Sequence, residues 1–202
     1  MRMLGLLILA LCLGGPVLAQ GGAKDILTID VPNDVATMDP HLQSDLDSAA
    51  VFRNIFDHLV TRDASGKFAS QLAASWHYAG ETTLVFDLRT DIAFQDGSKV
   101  TPADVVFSIQ RILNPALKSP QRGYYDLITS AEITGPAQVT VHTQVPYPTL
   151  MAQLTHLAIV PKAYVERVGD ATFNAQPIGT GSYKLREWRR GVQAVLDASD
   201  GN

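Results

Sequence analysis

The sequence predicts a mixed α and β fold, because strand-like and helix-like segments follow one another in irregular order. Residues 83–89 alternate apolar and polar side chains, with Val85 as the exception, which is typical of a half-buried strand. A helix is well marked from Thr101, a favourable N-cap residue, to Asn114, which precedes a proline. A hydrophobic content of 46% and a charged content of 18% are those of a chain that can form a core.

The other elements are predicted from short apolar runs bounded by turn residues and from apolar residues at helical spacing. Strands are expected at residues 26–31, 131–134, 139–143, 157–160, 183–189 and 192–197. Helices are expected at residues 47–59, 149–156 and 161–168, with a brief helical turn at residues 71–74. Turns are expected at residues 63–67, 95–98, 179–181 and 190–191.

Residues 1–19 have the features of a secretory signal peptide. Arg2 precedes an apolar run of about 11 residues, and small residues at Val17 and Ala19 predict cleavage after Ala19. The run is too short for a transmembrane helix, which needs about 20 apolar residues. The single cysteine, Cys12, would leave with this segment; a lipid-acceptor role is disfavoured because Leu11 is not small. We therefore expect an exported mature chain that has no disulfide.

Composition and motifs argue against several classes of function. The net charge is −4 and no basic residues cluster, so a nucleic-acid partner is not expected. There is no Gly-x-Ser-x-Gly nucleophile motif, and the five histidines do not have the spacing of metal ligands. The sequence therefore predicts neither an enzyme nor a bound cofactor.

Three features allow both a binding role and a structural role. Asp45 and Asp47 could bind an amine, but acidic residues also favour a helix N-terminus. Trp76 and Trp188 could stack on a ligand, although burial in the core is favoured for both. Residues 179–182 (GTGS) lack the lysine of a phosphate-binding loop, which favours a turn whose glycines permit positive φ.

A series of short motifs carries a resemblance to one family. In chain order they are residues 37–40 (TMDP), 55–60 (IFDHLV), 72–76 (LAASW), 86–89 (FDLR), 94–97 (FQDG), 101–105 (TPADV) and 177–183 (PIGTGSY). This order resembles the family 5 extracellular solute-binding proteins, the peptide-binding subunits of ABC importers. His58 stands where the family usually has glycine, and Ser182 where it usually has proline.

The resemblance implies a periplasmic-binding-protein-like class II lobe within the α/β class. Residues 20–45 would begin the large lobe, residues 46–159 would form the extra domain of this family, and residues 160–202 would return to the large lobe without completing it. The second lobe would normally follow Asn202, so we expect a chain truncated before it.

The resemblance also implies a ligand site and partners. Ser44, Asp45 and Leu46 would line the cleft and pair with an extended peptide, and Tyr124 would help to close the site. The expected protein is a periplasmic, monomeric receptor that delivers its ligand to ABC permease subunits in the inner membrane, without catalysis. The alternatives are another cargo on the same scaffold (a nickel chelate, haem or an opine), a truncated product that binds no solute, and a secreted enzyme, which the absence of a nucleophile or metal motif disfavours.

Overall fold

The computed structural model describes residues 26–199. The predicted signal peptide, with Cys12, lies outside the described residues. The chain divides into two units at Asp30, and the described part of the first unit is only residues 26–30. The strand predicted at residues 26–31 is wrong, because no partner strand pairs with it in the described part of the chain and the side chains of Ile26, Leu27 and Ile29 are exposed.

The second unit begins with turns that lead into the first helix. A short 3₁₀ turn, Pro40–Leu42, is followed by α1, Leu46–Ile55. The predicted helix ran to residue 59, but Phe56 already has extended backbone dihedral angles. Residues beyond it pair with a distant segment instead, since the amide of Ile159 donates to the carbonyl of Asp57 at 3.0 Å. Tertiary pairing therefore ends the helix earlier than its apolar pattern suggests.

A small hairpin follows α1. Strands β1, Val60–Arg62, and β2, Phe68–Ser70, pair in antiparallel register across the turn predicted at residues 63–67. The Asp63 carboxylate accepts from the amides of Ser65 and Lys67 at 2.8 and 3.0 Å. Gly66 adopts φ +82°, a conformation that favours glycine.

The largest sheet has four antiparallel strands in the order β3-β4-β6-β5. Their bounds are Ala73–Gly80 for β3, Thr83–Leu88 for β4, Ile128–Gly135 for β5 and Gln138–Thr143 for β6. The strands predicted at residues 83–89, 131–134 and 139–143 are thus confirmed. The helical turn predicted at residues 71–74 is wrong, because β3 starts at Ala73, whose amide donates to the carbonyl of Leu59 at 2.9 Å.

Helix α2, Pro102–Leu113, lies against this sheet and confirms the helix predicted from Thr101. The Asp104 carboxylate accepts from the backbone amide and the hydroxyl of Thr101 at 2.8 and 2.6 Å, which fixes the first turn. The apolar stripe of α2 is buried in the core. Two short 3₁₀ turns, Pro115–Leu117 and Arg122–Tyr124, follow in the predicted loop.

Residues 144–199 contain two helices and a hairpin. Helices α3, Leu150–Leu154, and α4, Lys162–Ala175, lie in the two regions predicted as helical. Gly169, at φ +77°, kinks α4 directly after residue 168, where the predicted helix ended. The segment predicted as a strand at residues 157–160 is buried, and within the part of the chain that the structure describes it forms a single isolated bridge, between Ala158 and His58. Strands β7, Tyr183–Arg189, and β8, Gln193–Ala198, form the predicted hairpin.

The turn predicted at residues 179–181 has a different cause from the one expected. Neither Gly179 nor Gly181 has positive φ. A Cβ atom on Gly179 would lie 1.9 Å from the carbonyl oxygen of Ile55, and one on Gly181 would lie 2.4 Å from the carbonyl oxygen of Asn54. The glycines are therefore required for close packing against the end of α1.

Among the described residues, the buried hydrophobic side chains form two cores. One lies between the four-stranded sheet, α2 and α3, and includes Phe86, Ile109 and Leu154. The other joins α1 to α4 and the C-terminal hairpin, and includes Ile55 and Phe173. In residues 26–199, none of the helices has the length and apolar character needed to cross a membrane.

Candidate functional site

A cavity of about 460 Å³ lies beside the start of α1 and contains all four residues predicted to bind ligand. Ser44, Asp45 and Leu46 lie at the start of α1, and Tyr124 belongs to the loop after α2. The other lining residues are Pro40, Gln43, Ala49, Ala50, Phe52, Arg53, His58, Gln121, Gln153, His156 and Ala158. The fold thus brings together residues that are about 80 positions apart in the chain.

The N-terminus of α1 is held by its own side chains. Asp45 is the N-cap, and its carboxylate accepts from the amide of Ser48 at 2.8 Å. Partial burial acts to raise the pKa of Asp45, but the hydrogen bonds from Ser48 outweigh it and lower this pKa. Asp45 is therefore a carboxylate at neutral pH. Leu46 beside it is 86% exposed, so its apolar side chain is available for contact.

The position of Tyr124 is fixed by the residues around it. Its backbone carbonyl accepts from the hydroxyl of Tyr147 at 2.7 Å. The next residue, Tyr125, is fully buried, and its hydroxyl donates to the carbonyl of Gln153 at 3.0 Å. Burial raises the pKa of Tyr125, which stays a neutral donor. Tyr124 itself remains 47% exposed, with a side chain that can pack on a bound molecule.

Two buried polar residues join the Tyr124 loop to the turn before α1. The side-chain amide nitrogen of Gln121 donates to the carbonyl of Pro40 at 2.6 Å and also to the carbonyl of Gln43. The hydroxyl of Ser119 donates to the carbonyl of His41 at 2.6 Å. These bonds hold the Tyr124 loop against the turn before α1.

An ionic cluster with buried Arg111 and Asp39 and exposed Asp170 supports the same turn. The Arg111 guanidinium donates to both carboxylate oxygens of Asp39, at 3.0 and 2.5 Å, and to the carboxylate of Asp170 at 2.7 Å. Burial acts to lower the pKa of Arg111, but Asp39 and Asp170 raise it. The sequence predicted only a turn at Asp39 and gave Arg111 no role. The signal available in the sequence was that Arg111, a charged residue, lies next to the buried stripe of α2.

His41 belongs to this cluster as a neutral ring. Its Nδ1 lies 3.0 Å from Nη1 of Arg111, which can only donate, so Nδ1 accepts and Nε2 donates to the carbonyl of Ala158 at 2.9 Å. Burial, opposed by Asp39 and reinforced by Arg111, lowers the pKa of His41 from 6.5 to about 4. The ring therefore acts as a hydrogen-bonding link between the Pro40 turn and residue 158.

Arg53, His58 and His156 also line the cavity, and the sequence did not predict them as site residues. Nη2 of Arg53 lies 3.4 Å from the carbonyl oxygen of Thr155 and 3.5 Å from Nδ1 of His156. Burial, followed by the charge of Arg53, lowers the pKa of His156. The same two causes lower the pKa of buried His58 from 6.5 to about 3. Both rings are thus neutral at pH 7 and Arg53 is the cation.

Within residues 26–199, no group of three or more His, Cys, Asp or Glu side chains is arranged to hold a metal ion.

Comparison with known proteins identifies the relatives of this fold. A family model described as "Bacterial extracellular solute-binding proteins, family 5 Middle" matches residues 67–201. The periplasmic oligopeptide-binding protein OppA of Salmonella typhimurium is 30% identical over 204 residues, covering 90% of this chain and 37% of the relative.

Solved structures similar to this mixed α/β fold include two with bound small molecules. Campylobacter jejuni NikZ, in complex with Ni(L-His), has a TM-score of 0.78 and 31% identity over 84% of this chain and 34% of that one. The binding protein AgaA from A. tumefaciens R10, in complex with agropinic acid, has a TM-score of 0.77 and 29% identity over 84% of this chain and 35% of that one. The chain thus spans about a third of the length of the relatives it matches.

Proposed function

We propose a solute-receptor function for this chain on the premise that it belongs to the bacterial extracellular solute-binding proteins of family 5. The observation that carries the proposal is the cavity beside α1, which Ser44, Asp45, Leu46 and Tyr124 line together. A concave site with exposed apolar groups and a few oriented polar groups is typical of small-ligand binding.

The proposed ligand is a short peptide. Leu46 and Tyr124 supply apolar contact, and the Asp45 carboxylate is a partner for a peptide amine. An extended segment before α1 can pair with a peptide backbone, a mode that tolerates many side chains. The likeness to oligopeptide-binding OppA supports this class of ligand.

In the proposed mechanism the residues described here form one face of a ligand-binding cleft. A second lobe closes over the ligand by a hinge motion, and the closed receptor docks on an ABC permease in the periplasm. Residues 20–45 and 160–202 are proposed to belong to the large lobe and residues 46–159 to the extra domain. Binding without catalysis, by a monomer, is proposed.

A second candidate is the same scaffold with a different cargo. The likeness to NikZ and AgaA, at 31% and 29% identity, favours a nickel chelate or an opine as the alternative ligand.

The experiment is calorimetric titration of the intact protein with short peptides, with Ni(L-His) and with agropinic acid. Tyr124→Ala should weaken peptide affinity about tenfold, because an aromatic contact contributes on the order of 1–2 kcal/mol. Tyr78→Ala is the matched control, because Tyr78 is 52% exposed on β3 and does not line the cavity. Peptide binding that Tyr124→Ala leaves unchanged would contradict this site, and binding of only a chelate or opine would replace the peptide assignment.

A further inference from the structure

We infer that the imidazole of His58 is a specificity-determining group of the cavity, and that its lone-pair nitrogen accepts a hydrogen bond from an uncharged N–H of the solute, such as a peptide amide. This inference rests on the proposed receptor function and specifies which chemical group the ligand presents at this wall. His58 stands where the family usually has glycine, which has no side chain to offer an acceptor.

The place of His58 in the fold is the first argument. The residue follows α1 and lines the cavity, yet it is only 5% exposed. Its backbone is held on both sides, because it bridges to Ala158, its amide donates to the side-chain oxygen of Gln71 at 3.0 Å, and its carbonyl accepts from the amide of Leu72 at 3.1 Å. The imidazole therefore extends from a rigid backbone, as a recognition group requires.

The hydrogen-bonding capacity of the ring is the second argument. A neutral imidazole has one N–H that donates and one lone-pair nitrogen that accepts. The side-chain oxygen of Gln71, which lies beside the ring, can serve only the N–H. None of the hydrogen bonds among residues 26–199 ends on the accepting nitrogen, and it is not one of the fully enclosed polar atoms that lack a partner there. The accepting nitrogen is therefore reachable from the cavity, and a donor on the ligand would satisfy it.

The charges around the ring are the third argument, and they determine the kind of donor. Burial, followed by the charge of Arg53, lowers the pKa of His58 to about 3, so at neutral pH the ring is uncharged and can accept. The same positive charge disfavours a cationic donor beside the ring. Asp45 is the acidic residue that lines the cavity, and it is the proposed partner of the peptide amine. An uncharged amide N–H is therefore the donor that fits His58.

A purely structural role for His58 gives a different expectation. If the ring only fills space at the cavity wall, replacing it by an apolar side chain changes the affinity for closely related ligands by the same factor. The test must therefore compare ligands that differ in a single N–H.

The test uses the intact protein with tetra-alanine and with three analogues, in each of which one amide N–H is replaced by an ester oxygen. At one position this replacement should weaken binding to the unmodified protein about fivefold more than binding to His58→Leu, because a neutral hydrogen bond is worth a factor of about two to ten in affinity. His77→Leu is the matched control, an exposed histidine on β3 that does not line the cavity, and it should behave like the unmodified protein. Equal ester effects in His58→Leu and the unmodified protein at all three positions would overturn the inference.

A second measurement separates failure of this contact from failure of peptide binding. The NMR resonances of the ring nitrogens are followed while N-methylacetamide, which has an N–H, or N,N-dimethylacetamide, which has none, is added; the His58 signals are assigned by their loss in His58→Leu. A shift of the accepting nitrogen of His58 with N-methylacetamide alone, while His77 responds alike to both amides, supports the contact even where tetra-alanine does not bind, and only the peptide assignment then fails. Absence of tetra-alanine binding together with equal responses of His58 to the two amides overturns the inference.

Discussion

The carbonyl oxygen of Ile55 lies where a side chain on Gly179 would begin, 1.9 Å from the position of its Cβ atom. The atoms nearest to that position belong to the backbone carbonyl of Ile55 and the buried ring of Phe56, so neither can move aside without disturbing α1. We expect Gly179→Ala to reduce the free energy of unfolding by more than about 2 kcal/mol, since overpacking a rigid site is costly. Urea unfolding monitored by circular dichroism would measure it.

Gly80→Ala is the control for that substitution. Gly80 does not have positive φ, and a Cβ atom there would have no heavy atom within 4 Å. Its effect should stay within about 0.5 kcal/mol. Equal stabilities for the two variants would mean that the contact with Ile55 does not constrain the fold.

Arg111 and Asp39 form a buried ion pair, which predicts a large effect of removing one partner. Their side chains are 6% and 0% exposed. Arg111→Met should cost about 3–5 kcal/mol because it leaves the Asp39 charge buried and unpaired. Adding Asp39→Asn should recover part of this loss. Thermal unfolding of the single and double variants would measure both effects.

Arg89→Met is the matched comparison for Arg111→Met. Arg89 also contacts an aspartate through two nitrogens, but the side chains of Arg89 and Asp91 are 42% and 68% exposed. Solvent screens an exposed pair of this kind, so Arg89→Met should destabilise the fold much less than Arg111→Met. A loss as small in Arg111→Met as in Arg89→Met would show that the buried pair has no special role.

His41 and His58 predict a loss of stability at mildly acidic pH. Burial lowers their pKa values from 6.5 to about 4 and about 3, so between these values and 6.5 the unfolded chain binds protons that the folded chain does not. Stability therefore falls as the pH falls below 6.5. At about 1.4 kcal/mol per pH unit for each ring, moving from pH 7.5 to pH 5 should cost about 2 kcal/mol per histidine.

Urea unfolding at pH 7.5 and pH 5 would test this dependence. His58→Gln should reduce the stability lost between pH 7.5 and pH 5 by about 2 kcal/mol, whatever its effect on stability at pH 7.5. His77→Gln, at an exposed position on β3, is the control and should leave the sensitivity unchanged. If His58→Gln and the unmodified protein lose the same stability between the two pH values, His58 is not the responsible group.

The sequence predicted the elements that depend on local signals. The alternation before Arg89, the Thr101 cap and the Arg190-Gly191 turn each specify their element within a few residues, and the structure contains all three. Errors occurred where distant segments compete, as at residues 71–74, which pair with the chain after α1 instead of forming a helical turn.

The candidate site likewise has a part that the sequence could predict and a part that it could not. The residues given by the family resemblance, such as Asp45 and Tyr124, do line one cavity. Arg53 and His156 are 103 positions apart, and Arg111 and Asp39 are 72 apart. No spacing in a single sequence links such pairs, because only the folded chain brings α1 beside residue 156 and α2 beside the Pro40 turn.

Asp45 has two roles that one pair of substitutions can separate. It caps α1 through its contact with Ser48, and its charge is the proposed partner of a peptide amine. Asp45→Asn retains a good cap and should change stability by less than about 0.5 kcal/mol, whereas Asp45→Ala should cost about 1 kcal/mol. Both variants lack the charge, so both should bind tetra-alanine about tenfold more weakly, as a lost charge-assisted hydrogen bond implies.

N-acetylated tetra-alanine provides the control, because it has no charged amine for Asp45 to bind. Its affinity should be the same for the unmodified protein and for Asp45→Asn in calorimetric titrations. Should Asp45→Asn bind free tetra-alanine as tightly as the unmodified protein does, the carboxylate would act only as a helix cap. The amine would then have to be bound by another group of the cleft.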